Sequence, residues 1–141
     1  MVDILKGGIA SDQRGNIRFV NDFDMSGIKR FYIIKNVDTE TVRGWRAHRI
    51  EQRWFYVLSG SFILDLVVVD NWNSASRNLP VERKILTASD LSVIHIPQGY
   101  GTAIQSLEEE SELLVFADHD IKHATLDDYT WPKDYFLQRG R

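Results

Sequence analysis

The stretch of this chain best equipped for chemistry is RGWRAHRIEQ, residues 43–52. Histidine is the side chain whose ordinary pKa lies nearest neutrality, so it can take and return a proton at physiological pH. Arginine is a permanent cation with a planar fork of donors, suited to a diphosphate or a developing oxyanion. His48 and Arg46, two positions apart, thus pair a proton carrier with fixed positive charge. A metal site in a β-barrel would commonly show two imidazoles here, spaced H-x-H. Arg46 holds the first of those positions, and a guanidinium has no lone pair to give. A further imidazole would be expected at the end of residues 97–102, but PQGYGT ends on Thr102. His95, His119 and His123 restore no ligand spacing, so no metal is expected.

These residues need strands to position them. If residues 44–58 form one strand, the even-numbered positions share a face. Arg46, His48, Ile50, Gln52, Trp54 and Tyr56 would then line a ligand cavity, and Trp45, Ala47, Arg49, Glu51 and Arg53 would face solvent. A plainer reading, with Arg46 and His48 in water near a strand end, fits the same pattern. Ser59-Gly60 reads as a tight hairpin turn between residues 54–58 and 62–69. That hairpin would pair Trp54 with Asp65, putting Asp65 roughly 20 Å of strand from His48. A carboxylate for His48 would come from elsewhere, with Asp118 as a candidate.

Further β-type runs occupy residues 17–20, 31–37, 93–97 and 113–116, while residues 71–79 and the segment after His119 read as loop or short helix. Short strands punctuated by turns predict an antiparallel barrel or sandwich, not a βαβ fold. The 141 residues suffice for one domain, and 43% hydrophobic residues predict a packed core. A net charge of −3 argues against a nucleic-acid surface. With no cysteine, disulfides and thiolate metal sites are excluded. The N-terminus lacks a signal-peptide pattern and no run approaches the roughly 20 apolar residues of a membrane span, so a cytoplasmic protein is expected.

Five pieces in order carry a family resemblance: Asp12-Gln13-Arg14-Gly15, the strand Arg30-Phe31-Tyr32-Ile33-Ile34-Lys35-Asn36-Val37, Arg43-Gly44-Trp45-Arg46-Ala47-His48-Arg49, Ile96-Pro97-Gln98-Gly99-Tyr100 and Asp127-Asp128-Tyr129. Together they resemble the metal-free cupins that act on nucleotide sugars. These are the dTDP-4-dehydrorhamnose 3,5-epimerases and the dTDP-4-keto-6-deoxyhexose 3,4-ketoisomerases, the FdtA/QdtA or WxcM-like group. The resemblance implies an all-β fold, an antiparallel jelly-roll barrel of one domain over residues 1–141 with a short irregular or helical C-terminal segment. It implies a non-redox isomerase without cofactor, a nucleotide-sugar substrate, a homodimer, and a role in deoxysugar or surface-polysaccharide synthesis. His48 would shuttle the proton and Arg46 stabilise the oxyanion. Arg14 and Arg43 would hold the diphosphate, and Tyr32, Gln52 and Tyr100 would contact substrate. The epimerase pattern is broken where its histidines would stand, at Arg46 and Thr102, and no tyrosine occurs at 115–116. Retention of His48 favours the ketoisomerase side, with a sugar epimerase or a non-catalytic sugar-nucleotide binder as alternatives.

Overall fold

The computed structural model describes residues 1–136. Its strands are β1 (Asp3–Lys6), β2 (Gly8–Asp12), β3 (Gly15–Phe19), β4 (Arg30–Ile34), β5 (Val42–Ala47), β6 (Arg53–Ser59), β7 (Ser61–Val68), β8 (Glu82–Thr87), β9 (Ser92–Ile96), β10 (Tyr100–Ser106), β11 (Glu112–Ala117) and β12 (Tyr129–Thr130). A single turn of helix, α1 (Ile121–Ala124), follows β11. One five-stranded sheet runs β1-β9-β6-β11-β4, a second runs β12-β5-β10-β7-β8, and β2-β3 is a separate hairpin. All pairings are antiparallel.

Alternation along the strands explains the stacking. On β6 the odd positions Arg53, Phe55 and Val57 are buried, and on β7 Phe62, Leu64 and Leu66. The apolar residues of this set join Ile94, Ile96, Ile104, Leu113 and Val115 in one core formed from both sheets. A second cluster covers the opposite side of the β5–β10–β7 sheet, where Trp45, Ala47, Val67 and Ala103 pack with Phe136, Tyr129 and Trp131.

Ser59-Gly60 does not form the expected hairpin. β6 and β7 lie in different sheets, so the turn is a corner between layers. Trp54 pairs with Phe116 and His95, and Asp65 with Ala103 and Arg83. Gly60 has φ 71°, and a Cβ there would lie 2.0 Å from Ser111 Oγ. That hydroxyl accepts the Ser61 N–H at 3.0 Å, pinning the corner from a segment 50 residues away. Gly60→Ala combines a disfavoured φ with this clash and should cost about 2 kcal/mol or more. In thermal unfolding, the midpoint should drop by about 5 °C or more.

Residues 44–58 are not one strand either: β5 ends at Ala47 and β6 begins at Arg53. The face assignment beyond Ala47 therefore fails. Trp54 and Tyr56 lie outside the barrel, where Trp54 stacks on His95 at 4.9 Å and Arg18 sits over Tyr56. Ile50 is 60% exposed. Trp45, Ala47, Glu51 and Arg53, expected in solvent, are all buried, and only Arg49 of that set is exposed.

Candidate functional site

A cavity of about 680 Å³ opens at the end of the barrel nearest the break between β5 and β6. Its cations are Arg30, Arg43, Arg46 and Arg53, and His48 lies among them with Tyr32, Thr102, Asp128 and Trp131. Sheet register explains this convergence. Arg30 and Tyr32 of β4 face Ala117 and Val115 of β11, and those residues face Arg53 and Phe55 of β6. On the other sheet Arg46 lies opposite Thr102 and Arg43 opposite Ile104. Arg43 and Arg46 are three residues apart, so a regular strand would aim them to opposite faces. A β-bulge between these two pairs sets two residues of β5 against one of β10 and brings both guanidiniums to the cavity.

His48 sits in the break, 5% exposed. Asp127 builds this loop. Its carboxylate accepts the backbone N–H groups of Arg49, Ile50 and Glu51 at 2.7, 2.9 and 2.8 Å. Its backbone carbonyl lies 2.6 Å from His48 Nδ1. A carbonyl can only accept, so His48 carries a proton on Nδ1, and Nε2 of the neutral ring presents a lone pair. Nε2 is 3.4 Å from Glu51 Oε2. Glu51 is itself buried, and its other oxygen accepts from Arg30 Nη2 at 3.2 Å.

Arg53 is 4% exposed, and its Nη1 donates to Thr102 Oγ1 at 3.1 Å. Its guanidinium lies 5.4 Å from the Phe55 ring centre. Burial lowers its pKa, with the Arg46 charge acting in the same direction, against Tyr32 and Glu51. Arg46 is more open and meets Asp128 at 3.2 Å, while Arg43 Nε donates to Asn36 Oδ1 at 2.8 Å.

His48 is held below its ordinary pKa of 6.5, chiefly by burial and next by the Arg53 charge. The Asp127 hydrogen bond and the Glu51 and Asp127 charges oppose that shift. The ring is thus a neutral base at pH 7. Below pH about 6.5 the unfolded chain takes up this proton before the folded one does, so stability falls on acidification until the folded-state pKa is passed. Urea unfolding between pH 5 and 8 should show that decline. Its slope should be smaller in His48→Gln than in wild type.

The cavity brings together His48, Arg46, Arg43 and Tyr32 of the expected residues. Arg14, Gln52 and Tyr100 are not among its lining residues. Arg14 stands at the exposed tip of the β2–β3 hairpin, paired with Asp12 at 2.7 Å. Gln52 points to the outer face: its Oε1 is 2.7 Å from His95 Nε2 and its Nε2 donates to Asp118 at 3.3 Å. Tyr100 packs against the core. Asp118 binds the Gln52 backbone N–H at 2.8 Å, and the carboxylate facing His48 is Glu51. Sequence reasoning missed Arg53, Glu51 and the carboxylate role of Asp127. Arg53 was detectable as the first inward position of the Arg53-Phe55-Val57 alternation. Among the described residues no three His, Asp or Glu side chains cluster as metal ligands.

Two antiparallel sheets closing over a cavity at one end, with a jelly-roll strand order, define an RmlC-like cupin. The chain belongs to the FdtA family (WxcM-like, C-terminal), whose family model matches residues 2–140. No curated protein sequence matches it. Among solved structures it is similar to a histidine-to-asparagine variant of the 3,4-ketoisomerase QdtA from Thermoanaerobacterium thermosaccharolyticum, in complex with TDP-4-keto-6-deoxyglucose. Identity is 23%, TM-score 0.67, covering 91% of this chain and 86% of that one. The WlaRB TDP-quinovose 3,4-ketoisomerase from Campylobacter jejuni matches at 22% identity and TM-score 0.69, covering 96% of both chains. A dTDP-4-dehydrorhamnose 3,5-epimerase from Bacillus anthracis matches at 14% identity and TM-score 0.73, over 99% of this chain and 84% of that one. At these identities the likeness speaks to the fold.

Proposed function

We propose that this protein is a metal-independent isomerase of a nucleotide-linked 4-keto-6-deoxy hexose, of the 3,4-ketoisomerase type. The observation that carries this reading is a buried histidine, fixed through Nδ1, in a cavity lined, among the described residues, by four arginines. Moving a ketone from C4 to C3 needs one base and a held anion, with no net redox. His48 Nε2 takes the C3 proton, and the electron pair forms a C3=C4 enediolate with its charge on O4. The O3 hydroxyl proton passes to O4 and a proton is returned to C4, leaving a C3 ketone and a C4 alcohol. Positive charge fixed in advance where the anion develops lowers the barrier without reorganisation. Arg53 suits that role better than Arg46, because it is buried, close to His48 and, among the described residues, hydrogen-bonded by its side chain to the Thr102 hydroxyl and to no carboxylate. Arg43 and Arg46, more exposed, suit the diphosphate. Tyr32, which lines the same cavity, contacts the sugar.

Membership of the FdtA family and the sugar nucleotide bound to the QdtA variant support this substrate class. The reading includes a cytoplasmic enzyme of deoxysugar synthesis acting as a homodimer. Exposed Ile9 and Ile17 on the hairpin, and Phe31 and Ile33 on the outer face of edge strand β4, are consistent with a dimer. Among the described residues no helix is long and apolar enough to cross a membrane.

The test is proton NMR of dTDP-4-keto-6-deoxyglucose in D2O with the purified protein. Solvent deuterium at C3 or C4, with formation of the 3-keto isomer, is the expected result. Deuterium at both C3 and C5 would mark an epimerase instead, and binding without exchange would mark a non-catalytic protein.

A further inference from the structure

We propose that Glu51 is the positioning residue for His48, a buried carboxylate that holds the imidazolium formed when His48 accepts a proton. The inference rests on His48 being the base. Glu51 is 1% exposed and does not line the cavity, so it acts through His48 and not on the sugar. Its Oε1 is occupied by Arg30, but Oε2 is buried with no hydrogen-bond donor among the described residues. A buried carboxylate oxygen without a donor is costly and calls for a physical reason. The group facing it is His48 Nε2, at 3.4 Å.

In the resting ring Nδ1 holds the proton and Nε2 the lone pair, so Oε2 gains nothing from this neighbour. Once Nε2 takes the substrate proton, the same contact becomes an ion pair in a buried setting. Return of the proton to the sugar restores the neutral ring, and Glu51 neither gains nor loses a proton. The contact is therefore stronger after proton transfer begins than before it, which is the condition for accelerating a step. Because Oε2 donates nothing to Nε2, it leaves the base's lone pair available to substrate.

Charges of both signs surround the pair. Arg53 faces His48 from β6 and disfavours the imidazolium; Glu51, from the same loop, and Asp127, ahead of β12, favour it. Arg30 from β4 holds Glu51 in place through Oε1. The Thr102 hydroxyl accepts from Arg53, and Tyr32 of β4 lines the same cavity.

The experiment follows the His48 ring nitrogens by 15N NMR through a pH titration of wild type, Glu51→Gln and Glu51→Asp, and measures solvent exchange into the sugar nucleotide. An opposite charge within about 4–6 Å moves a pKa by about 1–3 units. The Gln variant should therefore titrate at least about one unit lower than wild type. Its acid limb of kcat/KM should move the same way, with a plateau about tenfold lower and KM nearly unchanged. The Asp variant, which retracts the carboxylate but keeps the charge, should fall between the two and serves if the Gln variant does not fold. A His48 midpoint that stays put or rises in either variant overturns the proposal. The titration needs no substrate. Failure of wild type to exchange would thus count against the reaction, and the His48 midpoint would still decide the role of Glu51.

Discussion

His48→Asn is expected to slow deuterium exchange into the 4-keto sugar nucleotide by about 10²–10⁴-fold, the range for a lost general base. Asparagine suits the purpose because its amide N–H can still donate to the Asp127 carbonyl, the partner of Nδ1 in the native site. The loop would keep its shape while the basic Nε2 is removed. The arginines that line the cavity are untouched, so affinity for TDP, read by calorimetry, should change by less than about threefold. Burial argues in the same direction: the histidine is 5% exposed, and water cannot readily substitute for it as a base. Exchange at the wild-type rate in this variant would remove His48 from the reaction. Loss of TDP binding along with exchange would instead place His48 in ligand recognition.

Much of this site was legible because two of its devices are local. Arginine and histidine at the end of β5 announce their chemistry by type, and the aromatic and apolar runs of β6, β7 and β11 mark strands of a β fold. Other strands were hidden by composition. β10 reads YGTAIQS and β8 reads ERKILT, too small or too charged to stand out as apolar runs. The misassigned faces have a sharper cause. The break at residues 48–52 is held by the Asp127 carboxylate from 76 to 78 residues away, and no neighbour in sequence signals it. Glu51 and Arg53 consequently read as the exposed charges of a continuous strand. The corner at Gly60 misled in the same way, since a hairpin and a sheet-to-sheet corner use the same turn residue. Ser111, from the far side of the chain, decides between them.

That dependence makes Asp127→Ala the substitution with the largest expected cost in stability. Three backbone N–H groups lose a carboxylate acceptor at once. Hydrogen bonds to a charged group are worth about 1.5–3 kcal/mol each. Arg49 and Ile50 are exposed and can turn their N–H groups to water, whereas Glu51 is buried and cannot do so readily. The expected net loss is about 3–5 kcal/mol, read as a shift of the urea midpoint with the slope unchanged. Asp127→Asn, which keeps one acceptor oxygen but loses the charge, should cost roughly half as much. The adjacent Asp128→Asn is the control: among the described residues its carboxylate meets the open Arg46 at 3.2 Å, a surface pair worth about 0–1 kcal/mol. In Asp127→Ala the carbonyl that fixes His48 Nδ1 remains but the loop carrying the ring is no longer anchored, so exchange activity should fall too. If Asp127→Ala unfolded at the same urea concentration as Asp128→Asn, the loop would owe its shape to packing and not to this carboxylate.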